Sequence, residues 1–152
     1  ESIGCAECHV PDRALDDTIY SLPSRTSDSV LHIDLAIEGA QPRIKSRVGQ
    51  ERPIIRLFSD LKRHAMGPKL AEPRDEFGVP RDVFITSPLW GLARSRPYLH
   101  DGRAPTIEDA ILLHGGESQA ARDAYADLDE SKRAALRIFL TSFTRAQRFT
   151  AR

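Results

Sequence analysis

Cys5, Cys8 and His9 stand together as Cys5-Ala6-Glu7-Cys8-His9, and their types and spacing suit chemistry better than any other group in the chain. Two thiols three positions apart fall on one helical turn. From there both can form thioethers with the two vinyl groups of a haem while the adjacent imidazole reaches the iron. The pattern points to one covalently bound c-type haem with His9 as proximal ligand. Two other chemistries use paired thiols. A redox disulfide expects a helix start in a βαβ setting, and no such pattern surrounds this motif. A structural zinc ion needs two further ligands, here from His32, His64, His100 or His114, without the second paired motif that makes such a site specific.

A haem iron has a second axial position, and its occupant decides between electron transfer and chemistry on a small molecule. Met66 is the sole methionine. Its thioether would raise the potential, or it fills a gap beside Gly67 and Pro68. His114 follows Ile111, Leu112 and Leu113 near the end of a helix. A lone histidine beside apolar residues is often a satisfied core or surface group rather than a ligand. On the residues alone the position stays open among Met66, His64, His100, His114, His32 and none.

These groups need elements to position them. At 152 residues the chain fits one domain over 1–152, with a single core. Composition of 40% hydrophobic and 29% charged residues is ordinary for a globular protein and gives no sign of disorder, and no apolar run is long enough to span a membrane. Lys plus Arg equals Asp plus Glu at 22 each, so no bulk field argues for nucleic acid or an anionic surface. Arg145, Arg148 and Arg152 form a basic tail that reads as a solvated end. The haem motif begins almost at residue 1, which reads as either a processed chain or a piece of a longer one.

Pro11 and the Asp16-Asp17 pair keep any helix after the motif short. Residues 20–52 read as irregular with one hairpin, the alternation from Val30 to Ile37 being strand-like. Ile54 to Arg63 reads as a helical turn or two. Gly67, Pro68, Pro73, Gly78, Pro80 and Pro88 then punctuate a long loop-rich stretch, which wrapping a large planar cofactor would order. Residues 104–143 read as helices: one from Pro105-Thr106 to Gly115-Gly116, a second from about Glu117 to Asp127, and a third from about Asp129. The expected fold is mainly α-helical, a cytochrome domain with long haem-wrapping loops and at most a small β-hairpin.

The run from Phe84 to Glu117, including Pro97-Tyr98-Leu99-His100-Asp101-Gly102, resembles the C-terminal haem domain of the bacterial di-haem cytochrome c peroxidase and MauG-like superfamily. Asp60-Leu61-Lys62-Arg63-His64-Ala65-Met66-Gly67 is further similar to the Leu-x-x-His-x-Met-Gly segment of its di-haem thiol oxidoreductases. The resemblance covers the motif and most of 54–143, and little of 20–52. It implies that the sixth ligand lies at a fixed offset after the His-Asp-Gly histidine, where this chain has His114. A low-spin His9/His114 haem follows, with Met66 as packing. The resemblance also places His100 near the haem edge, and Arg94, Arg96 and Arg103 are candidates for pairing with propionates. Trp90 is a candidate pocket wall, and Ser95 and Pro97 match backbone donors to a calcium ion at a domain interface.

In that superfamily the C-terminal haem relays electrons to a second haem that reacts with peroxide or oxygen. One attachment motif is present here, so the expectation is an electron-transfer domain rather than a complete enzyme. The alternative is a portion of a catalytic di-haem peroxidase-like oxidoreductase whose second haem lies on another segment. The expected partner is a redox protein or a second haem domain, with no nucleic acid and no membrane span. Covalent haem attachment implies a periplasmic or extracellular location.

Overall fold

In a computed structural model of the chain, residues 3–23, 28–34, 44–45 and 52–144 are described. The basic tail and Leu35 to Ile37 lie outside them. The described residues form seven short strands: β1 (Asp12–Ala14), β2 (Ile19–Pro23), β3 (Val30–Asp34), β4 (Ile44–Lys45), β5 (Ile54–Arg56), β6 (Arg63–Ala65) and β7 (Val83–Ile85). Three helices follow: α1 (Ile107–Leu113), α2 (Gln119–Ala126) and α3 (Glu130–Thr141). The strands make three antiparallel sheets, ordered β1-β5-β4, β2-β3 and β6-β7.

The expectation of a mainly α fold with at most a small hairpin is therefore overturned, and the fold is mixed α and β. The expected hairpin is present as β2-β3, pairing Ile19 with Asp34. Ile54 to Arg63, expected as helical turns, begins instead as the central strand β5, with Ile55 opposite Arg13 on one side and Ile44 on the other. The stretch expected as loops contains β6 and β7, with His64 opposite Phe84. Strands of two to five residues cannot display enough alternation to stand out from Pro- and Gly-rich surroundings.

The C-terminal helices lie where their caps place them. Thr106 accepts the Asp109 amide while the Asp109 carboxylate accepts the Thr106 amide, a reciprocal box that satisfies two donors of the first turn. Asp129 caps α3 by accepting the Lys132 amide at 2.9 Å. Arg137 of α3 reaches Glu108 of α1 at 3.5 Å, tying the two helices together.

The core under α1 gathers Tyr98, Ala104 and Ile107, with Leu92, Ile111 and Leu140 packed around them. Tyr98 and Ala104 exchange main-chain hydrogen bonds of 2.8 and 3.4 Å, closing a loop that carries His100 and Asp101 at its tip. Leu99 and Gly102 make its turns with φ of 70° and 74°. None of the helices among the described residues is long and apolar enough to cross a membrane.

Candidate functional site

Gly4, at φ 83°, opens a 3-10 turn over Cys5–Glu7, and the His9 amide donates to the Cys5 carbonyl at 2.9 Å. That turn sets Cys5, Cys8 and His9 side by side, and a Cβ on Gly4 would touch Ala121 of α2 at 3.5 Å. Both thiols are free and half-buried. Burial pushes the Cys5 pKa up; burial and then the Asp60 and Glu117 carboxylates raise that of Cys8. A reactive redox pair needs its thiolates stabilised, and this environment does the opposite.

His9 is held from a distance. The amides of Leu57 and Phe58 both donate to the Pro11 carbonyl, Ser59 donates to Val10 and Asp60 to Cys8, at 2.8 to 3.2 Å. These bonds lay residues 57–60 along the motif and hold Phe58 at φ 54°, an unusual conformation for a bulky residue. The Phe58 carbonyl thereby sits 3.0 Å from His9 Nδ1. A carbonyl can only accept, so Nδ1 carries the proton and the neutral ring leaves Nε2 as a lone-pair donor. Burial lowers the pKa of His9, opposed by the Phe58 carbonyl, and the nearby His114 lowers it further.

His114 is the C-cap of α1, and its Nδ1 donates to the Ala110 carbonyl one turn back at 2.7 Å. Nδ1 therefore carries a proton, and among the described residues Nε2 of His114 makes no hydrogen bond. The other histidines differ. His64 has both nitrogens 2.9 Å from carboxylate oxygens, Nε2 from Asp60 and Nδ1 from Glu117, so it has no lone pair to offer. His100 contacts Glu72 through Nε2 at 3.1 Å and stacks on Phe84. His32 pairs with Ser21 on the β2-β3 hairpin. Met66 Sδ lies 3.8 Å from the Ser118 hydroxyl.

The remaining candidates from the sequence are spread around this centre. Trp90 donates to the Arg56 carbonyl at 2.7 Å, and Arg103 engages the Asp101 carboxylate and the Lys69 carbonyl. Arg94 and Arg96 are exposed. Cys8, Asp60 and His64 offer three donor atoms within 4.8 Å, the one such cluster among the described residues. It lacks Cys5, it falls short of the four ligands of structural zinc, and its imidazole is already shared by two carboxylates. No acidic or imidazole cluster accompanies Ser95 and Pro97 among the described residues.

Sequence reasoning missed Phe58, Asp60 and Glu117. Phe58 acts through its main-chain carbonyl, which carries no residue-type signal. Asp60 and Glu117 are 57 positions apart in the chain and meet only through His64.

A family model described as "Di-haem oxidoreductase, putative peroxidase" matches residues 3–143. No curated protein and no solved structure matches the chain.

Proposed function

Since the chain belongs to the di-haem oxidoreductase family and a haem cofactor comes with that membership, we propose that it is a single c-type cytochrome domain for electron transfer. In this reading Cys5 and Cys8 would hold one haem c covalently, and His9 and His114 would ligate its iron. The observation that carries it is the state of the imidazoles. Of the five histidines, His9 and His114 are the two whose Nδ1 is committed to a main-chain carbonyl and whose Nε2 makes no hydrogen bond among the described residues. An outer-shell hydrogen bond of this kind fixes tautomer and ring orientation in metal-ligating histidines. The free, half-buried thiols beside His9 fit the same cofactor.

When bound, the group supplies a one-electron couple. The protein's part is to present two imidazoles with Nδ1 already committed, shield them from water and keep both in place through each change of charge. A bis-histidine site has a potential below that of a His/Met site, because a thioether ligand favours the reduced metal. Arg94 and Arg96, exposed and close in sequence to the His100 loop, suit propionate pairing. His100 and Arg103 would meet a propionate only by sharing or exchanging their present protein partners, whereas Trp90 can keep its bond to the Arg56 carbonyl and still offer its ring face as a pocket wall. Calcium has no part in this reading.

The family's description, "Di-haem oxidoreductase, putative peroxidase", leaves room for a wider role. In it the domain would take electrons from a redox protein and pass them to a second haem domain. Covalent haem attachment places such a protein in the periplasm or outside the cell. The test is the absorption spectrum of the purified holoprotein and of His114→Ala. The wild type is expected to be low-spin in both oxidation states and the variant high-spin. A variant that stays low-spin removes His114 as ligand, and peroxide turnover by this chain alone would replace relay with catalysis.

A further inference from the structure

We propose that Asp60, His64 and Glu117 form a strut between the haem-attachment turn and the segment that follows His114, making His64 and Glu117 positioning residues for the distal ligand. The inference rests on the reading of His114 as that ligand.

The strut can be followed atom by atom. At the proximal end the Asp60 amide donates to the Cys8 carbonyl at 2.8 Å, and the Asp60 carbonyl accepts from Arg13 at 3.1 Å. Asp60 is 6% exposed, and one carboxylate oxygen is fixed by the Lys62 amide at 2.9 Å. The other oxygen accepts from His64 Nε2, and the His64 ring lies 3.8 Å from Cys8 Sγ. Nδ1 of the same ring meets Glu117 Oε2, while Glu117 Oε1 accepts the Ala65 amide at 2.8 Å. Glu117 is three residues after His114. The chain of contacts therefore begins one residue from the proximal ligand and ends within one turn of the distal one.

Close packing alone would not fix this arrangement. Gly115 and Gly116 lie directly on the backbone of residues 65–67: a Cβ on Gly115 would sit 2.9 Å from the Met66 carbonyl oxygen, and one on Gly67 3.1 Å from the Gly116 amide. Two bare backbones in contact can slide along one another. The Glu117 fork removes that freedom, because one oxygen reads a main-chain amide and the other an imidazole already pinned to Asp60. With both nitrogens against carboxylates, His64 is held as the doubly protonated cation. A charged hydrogen-bonded bridge of this type is stiffer than a neutral pair. The segment after His114 is thus clamped in register with the attachment turn.

Carbon monoxide binding to the ferrous holoprotein reads this directly, since CO must displace the distal ligand. Glu117→Gln keeps an acceptor for the Ala65 amide but turns an NH2 toward His64, and His64→Gln cannot bridge both carboxylates. Each is expected to accelerate CO association by about tenfold or more, the usual scale for losing an outer-shell partner. Haem content should be unchanged in both. In a His114→Ala background the same substitutions should add nothing, since no distal ligand remains to be positioned. Wild-type CO rates in both variants, with His114→Ala fast, overturn the strut alone. Equal acceleration with and without His114 also overturns it, because the effect would then be general loosening. A slow His114→Ala variant instead defeats the ligand assignment beneath it.

Discussion

His9 and His114 both commit Nδ1 to a main-chain carbonyl, by opposite routes. His9 takes its orienting carbonyl from Phe58, 49 residues away, whose conformation depends on hydrogen bonds to three residues around the motif. His114 takes its carbonyl from Ala110, one turn back along its own helix. On the proposed reading of His9 as proximal and His114 as distal ligand, the proximal side is oriented by tertiary structure, the distal side by secondary structure plus one docking contact. Damage to distant packing should therefore reach His9 first, whereas the distal side should fail when α1 or its docking fails.

The largest expected effect breaks the distal half of the comparison. Gly116 has φ 53°, and a Cβ there would overlap the Ala65 carbonyl oxygen. Gly116→Ala is expected to cost about 3 kcal/mol or more, since both the backbone conformation and the overlap penalise it. Urea unfolding measures this. A variant within about 0.5 kcal/mol of wild type would mean that this docking does not exist. Next is Ile107, the first residue of α1 and 8% exposed. Ile107→Ala should cost about 2 to 4 kcal/mol through lost burial and the cavity left behind.

The same contrast explains what could be seen in the sequence. Thr106, Asp109 and Gly115 announce the ends of α1, so a helix placing His114 at its C-terminus was legible from local residue types. The Cys-x-x-Cys-His motif was legible because its residues are contiguous. What orients His9 was not, because any residue at position 58 has a carbonyl. The β6-β7 pair was hidden for a related reason: its strands are three residues long and separated by 17 residues of turns, so pairing rather than periodicity makes them strands. His64 stood out as a candidate ligand, but its occupation by Asp60 and Glu117 depends on a fold that brings distant carboxylates to it.

Two smaller substitutions sharpen the comparison. Phe58 packs edge-on against Phe143 at 4.5 Å and Phe139 at 5.9 Å, so α3 and its C-terminal extension brace the residue that orients His9. Phe58→Ala should cost about 1 to 3 kcal/mol in thermal unfolding and loosen the proximal side while leaving α1 intact. Thr106→Ala removes one half of the capping box and should cost about 1 kcal/mol, with its effect confined to α1. Amide exchange separates them. Faster exchange in α1 for the Phe58 variant, or near residue 58 for the Thr106 variant, would contradict the division.

The smallest effect is a pH dependence at the strut joining the two sides. Hydrogen bonds to Glu117 and then Asp60 raise the His64 pKa above its ordinary 6.5. A group whose pKa rises on folding contributes stability that is complete below the unfolded value and fades as pH climbs through the folded one. Burial raises the Asp60 pKa, but the Lys62 amide, the His64 ring and Thr86 together bring it from 3.8 to about 2. Glu117 is lowered as well, first by the Ala65 amide and then by His64. Those carboxylates contribute above their unfolded values and lose the contribution as pH falls through the folded ones. The strut is therefore strongest between the two limbs, from about pH 4.5 to about pH 6.5. His64→Gln should cost most stability in that window, and its deficit against wild type should shrink as pH rises past the His64 pKa. A deficit that is constant from about pH 5 to about pH 9 would show that the imidazolium contributes nothing as a charge and fills space only.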